Sequence, residues 1–107
     1  MKSFEVFGKV QGIMFRQTFI RGLQKRNISG GATNDPQNKN RVTLSIDASP
    51  EVIETLINDL TKTAPLNSWG AVIESFNEIL PIELKDHEVT TDNVDQFKWT
   101  PGVKFYF

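Results

Sequence analysis

The stretch Gly8-Lys9-Val10-Gln11-Gly12-Ile13-Met14-Phe15-Arg16 brings together what a bound anion needs. It leaves an alternating apolar segment and enters a helical pattern. The first amides of a helix have no carbonyl partner and point outward, so they can receive negative charge. Gly12 lets the main chain approach a ligand closely. Arg16 falls in the first helical turn, where its planar fork can hold two oxygens of one phosphate. Neither Walker-A spacing nor a G-x-G-x-x-G turn is present. An ordinary strand-to-helix turn with one exposed arginine would contain the same residues, so the stretch alone leaves both readings open.

The other chemistry-bearing residues are sparse. The chain has no cysteine, which excludes disulfides, thiolate metal sites and a cysteine nucleophile, and fits a cytoplasmic protein. His87 is the only histidine. Its neighbours Asp86 and Glu88 make a metal site imaginable, but the acidic stretch around it reads as solvated surface. No metal or other cofactor is expected. Asp35 reads as the start of a turn rather than a general base. Trp69 and Trp99 read as packing residues.

Charge is uneven. Residues 1–41 carry eight basic and two acidic side chains, while residues 42–107 carry four basic and eleven acidic ones. An anion would bind the first part. Pairing between the two parts would explain the same asymmetry. The net charge of −1 argues against a general nucleic-acid binder.

The elements that must hold the Gly8–Arg16 stretch follow from periodicity. Ser3 to Val10 alternates as a half-buried strand. Phe15, Phe19, Ile20 and Leu23 form one helical stripe, with Asn27 as a left-handed stop. Gly22 is a weak point in that helix. Ser29 to Asn34 and Arg41 to Asp47 are strands around a polar turn. Ser49-Pro50-Glu51 opens a second helix with a capping hydroxyl, proline at the first position and an acid in the first turn. Its expected buried stripe is Val52, Ile53, Leu56, Ile57 and Leu60. Gly70 to Phe76 reads as a fourth strand, Leu80 to Gln96 as a long loop and Val103 to Phe107 as a terminal strand. The order β-α-β-β-α-β plus a C-terminal strand predicts an α+β ferredoxin-like sandwich, an antiparallel sheet with both helices on one face. With 107 residues, 38% of them hydrophobic, one domain spanning 1–107 is expected, extended from about residue 80.

Gly8 to Arg16 resembles the phosphate-binding signature of the acylphosphatase family, G-x-V-Q-G-V-x-F-R, with isoleucine for one valine. The family's second motif is a strand of glycine, aromatic, small, any residue, asparagine. Gly30-Gly31-Ala32-Thr33-Asn34 matches it at a similar separation, except that Gly31 replaces the aromatic. The turn after Asn34 is about two residues longer than usual and lacks the common Asp-Gly pair. The segment from Leu80 onward is also longer. The resemblance covers residues 3–77 clearly. It implies metal-independent hydrolysis of a small acyl phosphate. The main chain of Gln11, Gly12, Ile13, Met14, Phe15 and Arg16 would cradle the phosphoryl oxygens. The Arg16 guanidinium would bind the same group, and Asn34 would hold the attacking water.

Two other functions fit the topology. A non-catalytic module binding a small phosphorylated anion would keep Arg16 and the loop but gain nothing from Asn34. An RNA-binding sheet would need two or three aromatics on the open face, where Phe7 stands alone among Glu5, Lys9, Thr43, Ser45 and Asp47. No apolar run approaches the roughly 20 residues of a membrane span, and the N-terminus lacks a signal-peptide core. The expectation is a cytoplasmic monomer with no nucleic-acid or membrane partner.

Overall fold

A computed structural model describes all 107 residues. The strands are β1 (Lys2–Lys9), β2 (Ser29–Asn34), β3 (Arg41–Asp47), β4 (Val72–Ile79) and β5 (Val89–Thr90). The helices are α1 (Phe15–Lys25) and α2 (Pro50–Lys62). The strands form one antiparallel sheet in the order β4-β1-β3-β2-β5. This is the expected ferredoxin-like sandwich, with β1 to β4 carrying the two helices between them. β3 lies between β1 and β2, so β1-α1-β2 is a crossover that returns one strand over.

Local sequence explains most boundaries. Strand alternation sends Phe4, Val6, Val42, Leu44 and Ile46 into the core, opposite to Glu5, Phe7 and Thr43. Helix α1 buries Phe15, Phe19, Ile20 and Leu23 as its stripe requires. It stops where Asn27 turns left-handed at φ 58°, and the Ile28 amide returns to the Leu23 carbonyl at 3.0 Å. Ser49 caps α2 by accepting from the Val52 amide at 3.4 Å, with Pro50 at the first position. Ile53, Leu56 and Leu60 are buried, whereas Val52 is exposed. Ile57 is half-buried against the core, and the expected stripe was too wide at Val52, which lines an open depression with Ile28 and Leu56.

The segment after β4 departs most from expectation. It is not one loop: it contains short 3-10 turns at Leu84–Asp86 and Val94–Gln96 and the two-residue strand β5. β5 is the fifth strand of the sheet, on the free edge of β2, where Gly31 pairs with Thr90 and Ala32 with Val89. Val103 to Phe107 is not a sheet strand. Its only bridge joins Phe105 to Asn67, and the Tyr106 amide donates to the Leu66 carbonyl at 2.9 Å. Phe107 instead lies against α1. Its ring stacks on Phe19 at 6.5 Å and occupies the space beside Gly22, where a Cβ would fall 2.2 Å from it. That close contact accounts for a glycine inside α1. Val89, Val94 and Phe107 share one core cluster with the sheet and helices, so the tail is part of the packed structure.

Candidate active site

The loop between β1 and α1 is built from two left-handed residues, Gly12 at φ 76° and Met14 at φ 62°. Left-handed residues in such a turn can gather successive amides into a concavity suited to an anion. Helical bonding starts only when the Thr18 amide reaches the Met14 carbonyl at 3.0 Å. None of the main-chain amides of residues 11 to 16 donates a hydrogen bond within the protein. Backbone donors are rarely left that way unless water or a ligand takes them.

The Gln11 side chain does not face this concavity. Its Nε2 donates toward the carbonyls of Asp35, Asn38 and Arg41 at 3.0, 3.0 and 2.7 Å. The lengthened turn after Asn34 is thus gathered onto the loop that precedes α1. Asp35 opens that turn as expected, accepting from the Gln37 amide at 2.9 Å. This bond, reinforced by Arg41 at 3.2 Å, holds the Asp35 carboxyl below its ordinary pKa. Asp35 is therefore committed to the turn.

Asn34 ends β2 opposite Val42. It lines one cavity of about 190 Å³ with Gly12, Met14, Phe15 and Arg16. Gln11 and Ile13 flank it and line a neighbouring groove instead. The Asn34 Oδ1 is buried and has no hydrogen-bond partner. Such an atom normally has a partner when buried. The remaining residues around the cavity are ones that sequence reasoning treated as packing or did not single out: Val10, Trp69, Trp99 and Thr100. A larger surface depression of about 330 Å³ lies by α2. Its Arg26 and Asp59 pair with each other at 3.7 Å, leaving no comparable set of free donors.

Glu88 also reaches the site. One carboxylate oxygen, Oε1, accepts from the Asn34 amide at 2.8 Å and from Arg16 Nη1 at 3.2 Å. Glu88 is itself fixed by its amide on Thr33 Oγ1 at 3.0 Å and by Asn93 on its carbonyl at 3.1 Å. The basic first part and acidic second part of the chain do pair: Lys2 with Glu78, Arg16 with Glu88, Arg21 with Asp95 and Arg26 with Asp59. No local pattern marks Glu88, whose position depends on how the tail is laid over the sheet.

His87, expected on the solvated surface, is buried. Its Nδ1 meets Thr33 Oγ1 at 2.8 Å and its Nε2 meets Ser45 Oγ at 2.7 Å. Ser45 also meets Ser3 Oγ at 2.7 Å, and the Ile82 amide donates to Ser3 Oγ at 2.8 Å. The imidazole rests on Gly31, where a Cβ would lie 2.8 Å from its atoms. The space released by the missing aromatic at Gly31 is filled from the tail. Burial pushes the His87 pKa down, opposed by the nearby charge of Asp86. This tail segment also covers part of the sheet face that an RNA-binding reading requires.

The fold agrees with that of a solved acylphosphatase from Bacillus subtilis, at a TM-score of 0.58 and 19% identity over 81% of this chain and 92% of that one. No curated protein matches the sequence. The family model described as Acylphosphatase matches residues 2–97, and the chain belongs to that family. It is an acylphosphatase, an enzyme acting on small acyl phosphates. No helix is long and apolar enough to cross a membrane.

Proposed function

We propose that Arg16, the amides of residues 11–16 and Asn34 carry out hydrolysis of an acyl phosphate to a carboxylate and inorganic phosphate. The observation that carries this reading is the gathering of polar groups at one cavity: Gly12, Met14, Phe15 and Arg16, whose amides have no partner within the protein, the Arg16 guanidinium, whose one partner is Glu88, and the partnerless Asn34 Oδ1.

Acyl phosphates need little machinery. The leaving group is a carboxylate whose conjugate acid has a pKa of about 4, so it departs without a proton. Water must be aligned with phosphorus, and the charge on the equatorial oxygens must be held. The amides and Arg16 hold those oxygens. The Asn34 carboxamide orients the water. A water oxygen bonds to phosphorus while the bond from phosphorus to the bridging oxygen breaks, its electron pair leaving on the carboxylate. The water proton passes to solvent. No resident metal is assigned a role, and the chain groups no three His, Asp or Glu side chains around one point. Phosphate monoesters, with much poorer alkoxide leaving groups, should react slowly.

Arg16→Lys tests the cradle. It keeps the charge but loses the two-pronged grip. Turnover of benzoyl phosphate should fall by roughly 10²-fold, as for loss of a preorganised donor, and inhibition by inorganic phosphate should weaken with it. Near-normal values for both would make Arg16 a surface residue.

A further inference from the structure

Resting on that reading, we infer that Trp69 and Trp99 form an acyl subsite beside the phosphate cradle, one that selects substrates with a flat aromatic acyl group. Both side chains line the cavity that holds Gly12, Arg16 and Asn34. A phosphoryl group seated on the amides would therefore place its acyl portion against indole. At about 190 Å³ the cavity is small against the roughly 300–1,000 Å³ of clefts for larger ligands. It suits a compact ring rather than a long chain.

Both tryptophans are tied into the structure around the cavity. Trp99 donates from Nε1 to the Val94 carbonyl at 2.8 Å and lies 5.4 Å from the Phe97 ring. Trp69 is 42% exposed, much for a large aromatic, yet its main chain is anchored to the phosphate loop. Its amide donates to Asn67 Oδ1 at 3.0 Å. Fully buried Asn67 in turn donates from Nδ2 to the Ile13 carbonyl at 2.9 Å and to Thr18 Oγ1 at 2.8 Å. One buried amide thus ties the Trp69 main chain to the loop that forms the cradle. Aromatic faces favour offset or edge contact with another ring, which an acetyl group cannot supply.

The test compares kcat/KM for benzoyl phosphate and acetyl phosphate in wild type, Trp69→Ala, Trp69→Phe and Trp99→Phe, with inorganic-phosphate inhibition as the check on the cradle. Trp69→Ala should lower the benzoyl-to-acetyl ratio by roughly 10-fold, on the scale of one aromatic contact, mainly through the KM of benzoyl phosphate. Trp69→Phe should restore most of the ratio, and phosphate inhibition should change little. Trp99→Phe should lower the ratio by a smaller factor. An unchanged ratio in folded Trp69→Ala would overturn the subsite while leaving the proposed reaction standing. A wild-type protein that cleaves neither compound would remove the proposed reaction, and the subsite with it.

Discussion

The loop before α1 and the network around His87 are both polar, both hold residues of the two family-like motifs or their neighbours, and differ in one respect. Around His87 the ring nitrogens and the hydroxyls of Thr33, Ser45 and Ser3 have partners within 2.8 Å. Around Gly12 and Arg16, the amides of residues 11–16 and the buried Asn34 Oδ1 have none. A buried polar group without a partner costs roughly 1–3 kcal/mol. The fold accepts that cost at Asn34 Oδ1 and avoids it at the network. Satisfied polar groups fasten the tail to the sheet, whereas the unsatisfied ones are those that the proposed reaction would use. The histidine, which looks like chemistry in a sequence, is architecture here.

That contrast can be broken at Gly31. If the His87 ring occupies the aromatic's space, Gly31→Ala must push against it. We expect a loss of about 1–3 kcal/mol, the usual range for overpacking a tight site, in urea unfolding of the otherwise wild-type chain. In a His87→Gly background the same substitution should cost much less, because the three side-chain atoms 2.8 Å from the new Cβ are gone. Equal costs in both backgrounds would mean that the contact does not determine the preference for glycine.

A smaller effect should appear with pH. The folded state holds His87 below its ordinary pKa through burial, while the unfolded chain titrates near 6.5. Below about pH 6.5 the unfolded chain therefore binds a proton that the folded one resists. Stability from this group is fully present above that pH and declines on acidification, by no more than about 1.4 kcal/mol per pH unit. Unfolding midpoints at pH 7.5 and 5.5 should differ more for wild type than for His87→Gln. An identical difference in the two proteins would assign the acid sensitivity to other groups.

How much of this was legible depends on range. Strands β1 to β3 and both helices follow from periods of two and 3.6, and the ends of the helices from Asn27, Ser49 and Pro50, all local signals. The loop from Gln11 to Arg16 stood out as a candidate anion site for the same reason. Asn34 was not legible from its own chemistry. Only its place in the second motif singled it out. The tail resisted because its positions are set by distant partners. Two residues, Val89 and Thr90, are too short a strand to show alternation. Val103, Phe105 and Phe107 do alternate, but the chain there runs beside Leu66 and Ser68 rather than along the sheet. His87 is buried because Gly31 leaves room for it, and Glu88 meets Arg16 as a consequence. Trp69 and Trp99 did read as packing residues, and what periodicity could not supply was their shared cavity with Arg16.

The central claim is that Asn34 serves the chemical step while Arg16 and the amides serve binding. The measurement that tests it most directly is benzoyl phosphate hydrolysis, with EDTA present throughout, by wild type and Asn34→Ala, alongside inhibition by inorganic phosphate and circular dichroism to verify folding. The account predicts metal-free turnover in wild type, a fall of about 10²-fold or more in the variant, and nearly unchanged phosphate inhibition. A folded Asn34→Ala enzyme with full turnover would contradict it, as would wild-type activity that vanishes with EDTA and returns with added Mg²⁺ or Zn²⁺.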